Sequence, residues 1–335
     1  MTRAALANKK NLIILIAAFA AVYIFWGSTY LAVKYSMQTL PPFLMAGARF
    51  LIAGSILFAW ARLSRDYERP TAVHWKTAFI VGTFLLLGGN GGVVLAQHFI
   101  SSSLSALLVA TEPLWIVLLS WLWLRTGRPT WKVTLGLLVG FVGVWLLIGG
   151  QPVDPNSAGG YGQLIGTLAV IFGAMSWATG SIYGLRSPTP KSSIMTAGMQ
   201  MIAGSLSLIV VGLVRGEWSA FDPAAVSSNS VFALLYLIIF GSIIGFTAYS
   251  WLLKNAQPSM VATYAYVNPV IAVFLGWSIA GESLTAQMLL GAFIIVVSVA
   301  LITANKRPKS GDDDELQVHT SSTPAGSCRP VTASA

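Results

Sequence analysis

The sequence predicts an all-α integral membrane fold, with ten transmembrane helices arranged as a 5+5 inverted-topology repeat. Three observations point there. First, 55% of the 335 residues are hydrophobic and only 9% are charged, against roughly 25% charged in a soluble domain. So few charges cannot cover a water-soluble fold of this size. Second, apolar runs recur at intervals of about 25 to 30 residues, each near the roughly 20 that a helix needs to cross hydrocarbon. Third, the two halves of the chain resemble each other and hold five runs each. An odd number makes the second half enter the membrane with the opposite orientation.

The runs fall at 11–33, 42–61, 77–97, 103–124, 132–148, 162–184, 192–214, 229–252, 259–280 and 285–303. This divides the chain into a cytoplasmic N-terminus (1–10), a first repeat (11–150), a second repeat (160–304) and a disordered polar tail (305–335) carrying Asp312-Asp313-Asp314-Glu315. Lys9-Lys10 before an apolar run with Ala18-Phe19-Ala20 imitates a secretory signal. The run continues through Trp26 to Val33, however, and is read as a retained first span.

The net charge of +9 sits in short clusters between apolar runs, which makes it a topology signal and excludes a nucleic-acid surface. With the N-terminus inside, sixteen Lys and Arg residues from Arg3 to Lys309 lie on the cytoplasmic side and only Lys34 and Arg215 outside. That bias places both termini in the cytoplasm. Cys328 is the single cysteine, and His74, His98 and His319 lack metal-ligand spacing. Neither a disulfide framework nor a metal or other cofactor is expected.

The repeat is visible in particular residues. Phe25-Trp26-Gly27-Ser28 and Ala46-Gly47-Ala48-Arg49 correspond to Ser176-Trp177-Ala178-Thr179 and Ala197-Gly198-Met199-Gln200. Ala110-Thr111-Glu112-Pro113-Leu114 corresponds to Tyr266-Val267-Asn268-Pro269-Val270. Substrate sites in inverted repeats lie near the midplane between the halves.

Within the spans, Arg49 and Glu112 are the charged residues that lie well inside, where an ionised group costs roughly 2.5–3.5 kcal/mol on insertion scales. Glu112 reads either as a site for a proton, cation or substrate ammonium, or as the structural counter-ion of Arg49. Matched depth, and the amides Gln200 and Asn268 at the equivalent positions, predict a buried Arg49–Glu112 ion pair. Gly88-Gly89-Asn90-Gly91-Gly92 should loosen the third span, as Gly241-Ser242-Ile243-Ile244-Gly245 should the eighth. The structural alternative is close packing through small residues. Asn90 and Gln97, seven apart, share a helix face and are both candidates for lining one cavity. Pro113 and Pro269 should kink their helices. Trp26 and Tyr30 share a helix face, as do Tyr264 and Asn268; with Trp177 they are candidates for cavity lining. Trp121, Trp123, Trp131 and Trp218 sit at span ends as interfacial anchors. Gly136, Gly140 and Gly143 mark a packing face on the fifth span. Ser101-Ser102-Ser103 is a span boundary.

The stretch Phe25-Trp26-Gly27-Ser28-Thr29-Tyr30-Leu31-Ala32-Val33-Lys34, with Ala48-Arg49-Phe50, the two proline-containing spans and Gly281-Glu282-Ser283-Leu284-Thr285, resembles the drug/metabolite transporter superfamily, EamA type. Ser250-Trp251 and Tyr264-Ala265-Tyr266-Val267-Asn268-Pro269 are similar to its YedA-like branch. The likeness covers residues 11–304. It implies alternating access and efflux of amino acids or other small metabolites across the plasma membrane, the inner membrane in a bacterium. The chain departs from the family at Arg125-Thr126-Gly127-Arg128, where the first-half acid is missing, and at Glu112, where an uncharged residue is common. The expected partners are a small-molecule metabolite and the lipid bilayer, and the sequence is compatible with a homodimer. A channel would need a pore-lining charged or carbonyl ring, and a membrane-embedded enzyme a catalytic cluster that three dispersed histidines do not supply.

Overall fold

The computed structural model describes residues 3–64, 67–124, 131–149, 161–256, 261 and 263–304. The expected polar tail, the Arg125-Thr126-Gly127-Arg128 turn and the loop 150–160 lie outside them. Among the described residues every regular element is helical.

Helix α1 runs Arg3–Ala21, widens into a π-helical turn at Val22–Trp26 and continues as Gly27–Ser36. Next come α2 (Pro42–Leu63) and α3, which is built from Ala72–Gly82, a π-helical stretch Thr83–Asn90 and Gly91–Ala96. Helix α4 is broken into Ser102–Val109 and Glu112–Leu124. Helices α5 (Trp131–Gly149), α6 (Tyr161–Arg186) and α7 (Ser193–Val214) follow. Helix α8 again contains a π-helical stretch, running Ser228–Tyr236, Leu237–Ile244 and Gly245–Asn255. The chain continues through α9 (Tyr264–Ser278) and α10 (Ala286–Ala304).

Seven of these helices are long and apolar enough to cross a membrane, and Trp131–Leu147, Val267–Ser278 and Ala286–Ser298 are shorter apolar segments. Exposed Trp60, Phe79, Leu138, Trp145, Phe172 and Phe293 cover the outside of the bundle, as suits a surface solvated by lipid.

Two close pairings organise the bundle, α2 against α7 and α5 against α10. Both depend on missing side chains. A Cβ on Gly198 would lie 2.8 Å from Phe58 N, and one on Gly54 would lie 3.0 Å from Gly198 O. On α5, a Cβ on Gly143 would meet Gly291 O at 3.0 Å, and Ser298 Oγ donates to Gly136 O at 2.5 Å. The predicted glycine face of α5 is thus the α10 interface, where small residues let backbones approach. Between these pairs, α6 packs on α3 and α4, while α1 packs on α8 and α9.

The two expected proline kinks come out differently. Pro113 follows a break at Ala110-Thr111 and occupies the first turn of a new helical segment, where its missing N–H leaves no intrahelical partner unpaired. Pro269 lies inside continuous α9.

Candidate functional site

The π-helical stretches of α3 and α8 fall on the two glycine-rich segments. An i→i+5 turn leaves carbonyls without their usual α-helical donors, and a neighbouring helix supplies a donor in each case. Ser176 Oγ on α6 donates to Phe84 O at 2.7 Å, and Trp26 Nε1 on α1 donates to Gly241 O at 3.0 Å. Close packing and loosening, the two alternatives read from the glycines, therefore occur together: Trp177 lies against Gly89, whose Cβ would come 2.8 Å from Trp177 Cε3.

Around these joints a cavity opens between α1, α2, α3, α4, α6, α8 and α9, with about 970 Å³ of empty space when the part open to solvent is counted. Of the sequence candidates, Trp26, Tyr30, Asn90, Glu112, Trp177, Tyr264, Asn268 and Pro269 all line it, and Arg49 joins them. The Trp26 ring stands edge-on to Tyr264, with centroids 5.3 Å apart, and beside Tyr249 at 5.1 Å. This gives the cavity an aromatic wall on the α1, α8 and α9 side. Asn90 Nδ2 donates to Leu85 O, five residues back, at 3.3 Å.

Two expectations are corrected. Gln97 does not line the cavity. Helix α3 ends at Ala96, and the Gln97 side chain turns to donate through Nε2 to Tyr30 O at 3.2 Å. The Arg49–Glu112 ion pair is not formed either. Arg49 Nε donates to Ser242 Oγ at 2.9 Å, and the guanidinium fits against α8 because Gly241 has no side chain: a Cβ there would sit 2.9 Å from Arg49 Nη2. Glu112 starts the second segment of α4 and faces the same cavity. Both are buried, as is Asn268, whose Oδ1 has no hydrogen-bond partner in the described structure. The cavity thus offers a cation, a carboxylate and a free amide oxygen beside aromatic rings, which suits binding of a small polar solute.

The ion pair among the described residues lies elsewhere. Lys34 Nζ, at the end of α1, meets Glu282 Oε1 at 2.8 Å. The same carboxylate caps α4. Ser102 N and Oγ donate to Oε1 at 2.9 and 2.7 Å, and Ser103 N and Oγ to Oε2 at 3.0 and 2.5 Å. Gly281, with φ of 63°, makes the turn that brings Glu282 under the helix. A carboxylate at a helix N-terminus satisfies backbone donors and the macrodipole together. Burial alone would push the Glu282 carboxyl up, but hydrogen bonds from Lys34, Ser103 and Ser102 hold it down at about 2. Sequence reasoning treated the serines as a boundary. The available signal was the opposite charge of Lys34 and Glu282 in two loops assigned to one side.

Residues 12–149 and 164–304 match the model of the EamA-like transporter family. The chain is 36% identical over 299 residues to the Escherichia coli (strain K12) protein named uncharacterized inner membrane transporter YedA, covering 89% of this chain and 93% of that one. It is 28% identical to the Bacillus subtilis uncharacterized transporter YvbV, over 86% of this chain and 91% of the relative. A solved structure of 22% identity, described only as a crystal structure of protein, superposes with a TM-score of 0.58 over 87% of this chain and 96% of that one. At that identity the likeness concerns the fold.

Proposed function

Because the chain belongs to the EamA-like transporter family, we propose that it is a secondary transporter that exports small organic metabolites, amino acids or related compounds, across the plasma membrane by alternating access. The observation that carries the reading is the cavity itself. It lies where helices of both halves meet, and it holds Arg49, Glu112 and Asn268 at membrane depth with no ion pair between the two charges. Unpaired ionisable groups inside a membrane bundle mark substrate pathways.

The ten-span inverted repeat is part of the proposal, and the pairing of helices supports it. Under the five-helix shift, α2 corresponds to α7 and α5 to α10, and these equivalents pack on each other. The same shift turns the α3–α6 contact into α8–α1 and the α4–α6 contact into α9–α1, and all four occur. A two-fold relation between halves accounts for this pattern. Both termini are then cytoplasmic, and Lys34, Ser102 and Glu282 share the opposite face.

The test is efflux from proteoliposomes loaded with a radiolabelled amino-acid mixture. Saturable efflux is expected, and Glu112→Gln and Asn268→Ala should lower it while leaving the protein monodisperse. Efflux no faster than from empty liposomes, or a non-saturating current, would overturn the reading.

A further inference from the structure

We propose that Lys34, Glu282, Ser102 and Ser103 form a latch that closes the cavity on one face of the bundle, so that access from that face requires the Glu282 carboxylate to leave α4 and Lys34. The inference rests on the transporter reading and adds the place where one gate is fastened.

The latch joins three cavity walls. Helix α1 contributes Trp26, Tyr30 and Val33 to the lining, α4 contributes Ala106, Val109 and Glu112, and α9 contributes Tyr264 and Asn268. Lys34 directly follows Val33, and Ser102 lies one helical turn, about 6 Å, beyond Ala106. The tie therefore sits just past the cavity's rim on this face. It also crosses the halves: Lys34 and the serines belong to the first, and Glu282 to the second.

Its composition suits a releasable closure better than a permanent one. Five donors converge on one carboxylate, whereas the permanent pairings α2–α7 and α5–α10 are made of backbone contacts through glycine. Polar contacts are partly replaced by water when the face opens, so each is released at a fraction of its gross strength, while interdigitated packing has no such substitute. The bonds are also cooperative. Oε1 accepts from Lys34 and Ser102 and Oε2 from Ser103, so one rotation of the carboxyl group releases α1 and α4 together. Gly276 leaves room for the carboxylate on α9, since a Cβ there would come 2.5 Å from Glu282 Oε2.

The test places a reporter thiol at Val109, a cavity-lining position on α4, by Val109→Cys in a Cys328→Ser background. A membrane-impermeant maleimide is applied to right-side-out and to inside-out vesicles. Glu282→Gln and Lys34→Gln should each speed labelling from the latch face about tenfold, as expected from loss of a charge-assisted hydrogen bond, and should not speed it from the other face. Lys34 is 40% exposed, so Lys34→Gln keeps the test decisive where Glu282→Gln fails to fold. Unchanged labelling in folded Lys34→Gln, or equal acceleration from both faces, overturns the latch. Labelling needs no flux. Accelerated labelling without export of the amino-acid mixture would therefore overturn the transport reading and leave the latch standing.

Discussion

Gly204→Ala isolates the backbone contact that fixes α7 against α3. A Cβ at Gly204 would lie 2.5 Å from Gly82 O, 2.7 Å from Gly82 C and 2.9 Å from Leu86 Cδ1. Two of the three obstructions are backbone atoms, so no rotamer change relieves them. The helices must separate by about 0.9 Å to restore ordinary contact at 3.4 Å or more. Overpacking of this kind costs about 1–3 kcal/mol, offset by the gain of about 1 kcal/mol when alanine replaces glycine in a helix. With backbone atoms at 2.5 and 2.7 Å the upper part of that range, about 2–3 kcal/mol, applies, so the expected net loss is about 1–2 kcal/mol, or a fall of roughly 2–5 °C in melting midpoint. Gly184→Ala on α6 is the control. Its Cβ would meet only the Val81 methyl groups, at 3.5 and 3.7 Å, so the propensity gain stands and the midpoint should hold or rise. Tryptophan fluorescence melts of both variants in one detergent at one scan rate give the comparison. If Gly204→Ala melts at or above the parent, the close approach of α3 and α7 is not what the structure describes.

Trp26→Phe keeps an aromatic ring beside Tyr264 but removes the donor to Gly241 O, leaving a carbonyl of the widened turn unsatisfied; a loss of about 1–3 kcal/mol is expected in the same melts. Because the folded Glu282 carboxyl is depressed from its ordinary 4.5 to about 2 with Lys34 as the charged group against it, the latch is fully made above pH 4.5 and is lost as pH falls through 2. Thiol labelling from the latch face should accordingly be flat from neutrality to about pH 5 once the reagent's own pH dependence is subtracted; a rise between pH 7 and 5 would contradict the ion pair. A reporter fused after Asn305 should act in the cytoplasm and one inserted near Pro223 outside, and the reverse result would invert the proposed topology.

The helices were legible because lipid imposes a simple rule: about 20 apolar residues per crossing, with polar breaks between. Trp26 with Trp177, and Glu112 with Asn268, were legible because the internal repeat aligns them, and the structure brings all four to one cavity. What the repeat does not encode is which neighbour a side chain chooses. Arg49 and Glu112 have matched depths along their helices, but depth is one coordinate. The rotation of α2 points the guanidinium at Ser242, where Gly241 makes the space. Gln97 was misjudged for a related reason, since helical spacing holds only while the helix lasts and α3 ends one residue earlier. The Glu282 cluster escaped notice because its five donors come from α1 and the start of α4, at least 179 residues away in sequence.

The widened turns of α3 also act as a phase shifter. In a regular α-helix positions seven apart lie on one face, so Gly82 and Gly89 would meet the same neighbour. Here Gly82 abuts Gly204 of α7 while Gly89 abuts Trp177 of α6, because the π-helical residues between them add extra chain to each turn and rotate the second segment relative to the first. One helix can thus be keyed to two partners, with the offset falling where Asn90 enters the cavity. Returning the stretch to α-helical pitch with all its residues kept would swing everything after it by about 100°. Gly89, Asn90 and Val93 would then leave their stations together, making the pitch of this segment as specific a determinant of the cavity as any side chain in it.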